Sequence, residues 1–313
     1  MPNSNHIKRL AIVGAGGNVG ASTIRHLLQI NPDISVTIIS RNESTATFSS
    51  SSRIIVRKGS YDDASFLGSA LHGNEMAMFA LSLYAEGLQP RLIDLAAKVK
   101  WIIPNEYGAD GMNEAMLKSN QFLHGKAAAR KQIEDLGMKW IGVATNPWTE
   151  LCILNGLFGF KAPQRTATFY SGSGSFNGSS MQQIGRGIAQ LISLPTMSTS
   201  NPTASLAHYA NRFVYISSFL LNQNKIFESL KRATHTSDED WTVKHSSIEE
   251  RIKDGQEKIA EGDFNGMAEM MFASYMGEGL GGDYQSKHLE DKEALGLEDE
   301  DLDEIVKAAL ASY

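Results

Sequence analysis

In Gly14-Ala15-Gly16-Gly17-Asn18-Val19-Gly20, residue type and spacing speak most directly of chemistry. The glycines leave backbone N–H groups bare between an apolar run at 10–13 and a segment of helical spacing, where a helix N-terminus favours a pyrophosphate. Gly14, Gly17 and Gly20 satisfy G-x-x-G-x-x-G, whereas the stricter G-x-G-x-x-G would need glycine at Val19. A tight strand-to-helix turn also wants glycine. Set between a strand and a helix, the loop reads as a dinucleotide site, with Gly14, Gly16, Gly17, Asn18, Val19 and Gly20 at the phosphates. Arg41 follows a second β-branched run at 35–39, where NAD-binding chains place an acidic residue for the ribose and an arginine accommodates the 2′-phosphate of NADP. It points to NADPH. Lys58 follows a third apolar run, in a polar turn that would flank the adenine with Lys58 adding to the phosphate charge, or in a plain surface hairpin-like turn. Ser82, after a fourth run, stands where a cofactor ribose would lie.

The elements that position these residues alternate regularly. Runs at 10–13 and 35–39 enclose a helical pattern with Ile24, Leu27 and Leu28 on one face, which is a βαβ unit. Further strands are expected at 54–56, 77–81, 101–103 and 140–143, separated by helical patterns at 64–71, 90–98 and 122–136. That rhythm predicts an α/β, Rossmann-type doubly wound parallel sheet with helices on both faces. The stretch 43–52, ending in four serines, reads as a surface loop. After Asn146-Pro147-Trp148 the rhythm breaks into a turn-rich segment at 171–175, a helix at 184–194, a strand at 213–216 able to return to the sheet, and mostly helix from 222 onward, including 245–262. The expected division is an NADP-binding domain at 1–150, with a returning segment near 205–220, and a smaller, mostly helical substrate domain at 151–313 interleaved with it.

The 313 residues are 42% hydrophobic and carry a net charge of −6, which leaves no electrostatic footprint for nucleic acid or an anionic membrane. No apolar run reaches membrane-spanning length, no leader is evident, and Cys152 is the lone cysteine, which suits a reducing, cytosolic setting. No metal site, nucleophile elbow or diagnostic carboxylate pair stands out. A monomer or homodimer acting on a small molecule is expected.

Trp101-Ile102-Ile103-Pro104-Asn105-Glu106-Tyr107-Gly108 resembles the NmrA-like family, and within it the isoflavone reductase-like enzymes, which carry an aromatic-Ile-Pro-Ser-Glu-Phe-Gly-like segment here. The resemblance extends to the loop glycines, Arg41, Gly59-Ser60-Tyr61-Asp62, Lys126-x-x-x-Arg130-x-x-Ile133-Glu134, Thr145-Asn146-Pro147-Trp148 and 295–302. It implies an atypical short-chain dehydrogenase/reductase that binds NADPH, with Lys126 beside the nicotinamide assisting proton transfer. Tyr107, Glu106 and His124 are candidate helpers, and of these Tyr107 joins Lys126 as catalytic. Two departures matter: Phe122 replaces the tyrosine four residues before the lysine, and Asn105 replaces serine. Read without the family, Lys126, Arg130 and Glu134 would be a charged helix face with i,i+4 pairs. Asn146, Pro147 and Trp148 lie at the carboxyl edge of the sixth strand; Trp148 packs on the nicotinamide, on the substrate, or in the core. Leu83, Tyr84, Met270, Met271, Phe272, Tyr275 and Met276 would line an apolar pocket or fill plain core. The function implied is reduction of a small aromatic or conjugated ketone, enone or quinone-like metabolite. Alternatives are a non-catalytic NADP(H)-sensing regulator and a cofactor-bound isomerase or cyclase without net redox change.

Overall fold

The structure, a computed structural model, describes residues 5–120 and 123–312. The chain begins β1 (Arg9–Val13), α1 (Asn18–Ile30), β2 (Ser35–Arg41), β3 (Ile54–Gly59), α2 (Ala64–Leu71), β4 (Met76–Phe79), α3 (Gln89–Leu95), β5 (Trp101–Ile103), β6 (Tyr107–Gly108), α4 (Glu114–Ser119), α5 (Leu123–Asp135), β7 (Lys139–Ala144). It continues α6 (Thr149–Leu154), β8 (Phe160–Lys161), β9 (Thr166–Ser171), β10 (Phe176–Gly178), α7 (Met181–Ser193), β11 (Arg212–Tyr215), β12 (Phe219–Leu221), α8 (Gln223–Thr234), β13 (Thr242–Ser247), α9 (Ile248–Ala260), α10 (Asn265–Met276), α11 (Gln285–Leu295), α12 (Leu302–Leu310).

The main sheet has the order β11-β7-β5-β4-β1-β2-β3, with β6 beside β7, and its pairings are parallel. Successive strand residues point to opposite faces. Leu10, Ile12, Met76 and Met78 therefore enter one apolar cluster with Ile24 and Leu27 of α1 and Ile184 and Ile188 of α7, while Ala11, Val13, Ala77 and Phe79 enter another with Leu67, Leu92 and Ile133. α7 comes late in the chain yet lies against α1: Ser22 Oγ donates to the Met181 carbonyl at 2.8 Å, and a Cβ on Gly185 would sit 2.2 Å from that hydroxyl oxygen. A third cluster, with Phe158, Phe160, Phe176, Phe227, Trp241 and Phe272, fills the region built by β8, β9, β13 and the C-terminal helices.

The strand order reverses between β1 and β4, where Val13 stands beside Phe79, so a crevice opens at the carboxyl ends of these strands. At the far edge α11 closes β11. Asp291 accepts from the Tyr215 N–H at 2.7 Å and the Tyr209 hydroxyl at 2.8 Å, and His288 Nδ1 lies 3.1 Å from the Tyr215 carbonyl oxygen. A helix thus gives Tyr215 the partners that a further strand would give. Burial pushes the Asp291 carboxyl up to about 6, against the pull of its two donors.

Three details differ from the sequence reading. β3 runs on to Gly59, because β2 continues pairing until Arg41 meets Gly59, so Lys58 is a strand residue and not part of a turn. Residues 242–247, partly expected as helix, form β13, whose Thr242 and Val243 pair in parallel with β9. In the 43–52 loop Phe48 is half-buried against the first cluster. Among the described residues no helix is long and apolar enough to cross a membrane, and no group of three or more His, Cys, Asp or Glu is arranged to hold a metal.

Candidate cofactor and active site

Each glycine of the first loop answers to a different demand. Gly14 has φ +90°, and a Cβ there would fall 2.0 Å from the Ala80 carbonyl oxygen, so β4 can approach only a glycine. A Cβ on Gly20 would meet the Gly14 carbonyl oxygen at 2.5 Å, which ties α1 tightly to the loop. Gly17 is different. It is the N-cap of α1 with φ −82° and ψ 171°, and the nearest atom to a Cβ would be 3.4 Å away, so the protein itself tolerates a side chain there. No side chain caps α1 at this end, which leaves its first N–H groups facing the crevice. Gly16, Gly17 and Asn18 are exposed, while the Val19 side chain is core and only its backbone can serve a ligand.

The loop forms one wall of a cavity of about 410 Å³, completed by residues 38–41, 43–46, Phe48 and Tyr61. Arg41 and Glu43 stand together in it, with Nε and Oε1 3.4 Å apart. Lys58 does not line the cavity; its Nζ donates to the Ser44 carbonyl at 3.1 Å and braces the loop. The Tyr61 hydroxyl donates to the Ile39 carbonyl at 2.8 Å, and burial pushes its phenol up to about 12. Ser82 is exposed just beyond β4, and its carbonyl accepts from the Ala85 N–H at 2.9 Å. The side chains of Leu83 and Tyr84 lie outside the described residues, as does Phe122.

The segment after β5 is held by α5. Lys126 Nζ donates to the Asn105 carbonyl at 2.6 Å. Asn105 also accepts at Oδ1 from the Leu81 N–H (2.9 Å), and its own N–H donates to Gln89 Oε1 (2.6 Å). One asparagine therefore joins the end of β4, the start of α3 and the lysine. One turn along α5, Arg130 forms a buried ion pair with Glu106 at 2.5 Å, donates to the Gly111 carbonyl at 3.0 Å, and lies over the Trp140 and Phe213 rings at 5.3 and 5.4 Å. Burial pushes the Glu106 carboxyl up, opposed by Arg130 and then Lys126. Glu134 accepts from Trp140 Nε1 at 2.6 Å. The charged-face alternative thus fails for Arg130 and Glu134, each of which has its own partner off the helix. Its description fits Lys131 and Asp135 instead. His124 is exposed, with Nε2 3.1 Å from the Leu117 carbonyl oxygen.

Tyr107 is packed in the first cluster. Its hydroxyl is buried without a hydrogen-bond partner, and burial drives the phenol well above its ordinary range. Its carbonyl accepts from Trp148 Nε1 at 2.9 Å, and Thr145 Oγ1 lies 3.2 Å from the same nitrogen, so the half-buried indole is pinned edge-first to the sheet. Asn146 is buried in the left-handed region at φ +50°; its N–H donates to the Gly108 carbonyl (2.9 Å) and Nδ2 to the Gly282 carbonyl (2.6 Å). Pro147 is buried, and its carbonyl accepts from the Ser179 N–H at 3.0 Å. Glu106 Oε1, Tyr107 OH, Asn146 Oδ1 and Thr149 Oγ1 are all buried without a partner.

Phe272, Tyr275 and Met276 are core side chains of the third cluster, with Met271 packed against it. A second cavity, of about 620 Å³, opens between β9, β13 and the start of α8, and none of the expected site residues lines it. Sequence reasoning missed Glu43 beside Arg41, although the two are only two positions apart. It also missed the joining role of Asn105, whose partners are 16 to 24 residues away.

Known proteins share this fold. The chain is 26% identical over 314 aligned positions to the oxidoreductase poxI of Penicillium oxalicum, covering 96% of this chain and 94% of that one. The structure of AtPrR2 with NADP+ and (+)pinoresinol superposes with a TM-score of 0.75 at 16% identity, covering 97% of this chain and 99% of that one. The NADPH-dependent quinone oxidoreductase QOR2 of Escherichia coli, complexed with NADPH, gives a TM-score of 0.70 at 17% identity, covering 96% and 99%. At such identities the two structures establish a common fold. The NmrA-like family model matches residues 6–168, a span that contains the glycine loop, Arg41, the Asn105–Glu106 segment, Lys126 and Trp148. This chain belongs to the NmrA-like family.

Proposed function

We propose that the protein is an NADPH-dependent reductase of the isoflavone reductase-like type, acting on a small aromatic or conjugated ketone, enone or quinone-like metabolite. The observation that carries the reading is the fixed position of Lys126: its Nζ is held on the Asn105 carbonyl at the end of the sheet that also carries the glycine loop. NADPH would supply the hydride. Gly14, Gly16, Gly17 and the N–H groups of Asn18, Val19 and Gly20 would hold its pyrophosphate, and Arg41 its 2′-phosphate. Ser82, Asn146, Pro147 and Trp148 would border its nicotinamide half, and Lys58 would act through the loop it braces. The relatives named for NADPH, quinone and pinoresinol support the same cofactor and substrate class.

Reducing a conjugated carbonyl leaves negative charge on oxygen, which needs a proton or a cation nearby. We assign that role to the Lys126 ammonium, a cation held in place on the Asn105 carbonyl. The Glu106 carboxylate is committed to Arg130, and the Tyr107 phenol is buried and hard to ionise, so neither shares the task; both hold the segment in place. Lys126→Ala should keep NADPH affinity within about tenfold while lowering substrate-dependent NADPH oxidation by at least about 100-fold. A wild-type rate in that variant would sink the mechanism. NADPH binding with no turnover on any ketone, enone or quinone would favour a sensing role instead.

A further inference from the structure

The cavity that takes the adenosine end in this reading holds an acid as well as a base. β2 ends at Arg41, and the chain then turns, the Ser44 N–H donating to the Arg41 carbonyl at 3.2 Å. The turn brings Glu43 back toward Arg41, Oε1 to Nε at 3.4 Å, and both side chains line the cavity. The loop beyond them is held at two points. Lys58 donates to the Ser44 carbonyl, and Ala46 lies so close to Gly16 that a Cβ on the glycine would be 2.7 Å from the Ala46 Cβ. Glu43 is therefore kept within reach of Arg41.

We infer that Glu43 is a specificity-determining counter-ion: it competes with the 2′-phosphate for Arg41 and so narrows the preference for NADPH over NADH. The inference rests on the NADPH reading of this cavity. A phosphate that takes Arg41 must share the guanidinium with a carboxylate already beside it, or displace it. NADH carries no such phosphate, and the freed or paired carboxylate leaves its binding unhindered. The pair is 61% and 67% exposed, so the competition is modest and sensitive to salt.

The test is to measure dissociation constants for NADPH and NADH with wild-type protein, Glu43→Gln, Arg41→Ala and the double variant, in low salt and at about 1 M salt. Glu43→Gln removes the charge from an exposed turn residue and keeps its shape. It should tighten NADPH about 3- to 10-fold in low salt and change NADH by less than about twofold. With Arg41 replaced by alanine, or in high salt, that gain should shrink below about twofold. If wild type prefers NADPH and Glu43→Gln leaves the ratio of the two constants unchanged, this inference alone is overturned. A full gain that survives the loss of Arg41 also overturns it, since Glu43 would then act on the phosphate directly. A wild type that binds neither cofactor overturns the reading of the cavity and this inference with it.

Discussion

Gly17 separates what the protein needs from what a ligand needs. Gly14 and Gly20 are required by β4 and by α1, whereas at Gly17 the backbone is ordinary and a Cβ has room. Glycine is a fair N-cap, but Ser, Thr, Asp and Asn serve that position at least as well; a bare glycine there also leaves room for something to come close. Gly17→Val should therefore keep its unfolding free energy within about 1 kcal/mol of wild type. Its NADPH affinity should fall about 100-fold or more, the loss of roughly one charge-assisted backbone hydrogen bond. Calorimetry and urea unfolding on the same sample check both halves, and normal NADPH binding would place the pyrophosphate elsewhere. At this scale the loop and Arg41 stood out because their spacing is local, whereas Lys126 stood out only through the family resemblance. The sequence concealed what Asn105, Glu106 and Arg130 do, because their partners are set by the packing of α5 on the sheet. Tyr107 shows the same limit: the residue type invited a proton-transfer role, and its burial, invisible in the sequence, assigns it to packing.

Among the elements, α11 carries the clearest energetic consequence. Its Asp291 is held in a buried site where burial lifts the carboxyl from 3.8 to about 6. A group whose pKa is raised on folding binds its proton more tightly in the folded chain, so its stabilising effect is complete below about pH 4 and is lost as pH rises through about 6. A rise of that size corresponds to about 3 kcal/mol. The stability of wild type relative to Asp291→Asn should therefore fall by about that amount between pH 4 and pH 7. Urea unfolding at the two pH values measures it, and a constant difference would show that the carboxyl titrates alike in the folded and unfolded chains. The strands of the main sheet were legible because they are short apolar runs between turn signals, and the run at 213–216 was among them. Their ends were not: β3 lasts as long as β2 offers it a partner, which is a property of the pair. β13 was partly read as helix for the same reason, its place being set by β9, 76 residues earlier at each paired position.

Over the whole molecule, the residues proposed to hold NADPH and handle the proton lie between 14 and 148, but the layer that supports them does not. α7 covers α1, and β11 lies beside β7 as the last strand of the sheet. A fragment of residues 1–150 would leave bare the faces of Ile24 and Leu27 that Ile184 and Ile188 cover. It should bind an apolar dye, lack a cooperative urea transition and fail to retain NADPH. A fragment that unfolded cooperatively and held NADPH as the full chain does would refute the dependence. The dependence bears on how the chain is made. A ribosome delivers the glycine loop first and the helix that must press on α1 more than 160 residues later. At the usual speed of about 5–20 residues per second, the unfinished crevice waits on the order of ten seconds with its apolar side open to water. During that wait the nascent chain offers its apolar side to chaperones and to other chains, and on the prediction above the dinucleotide enters only once the later half has emerged.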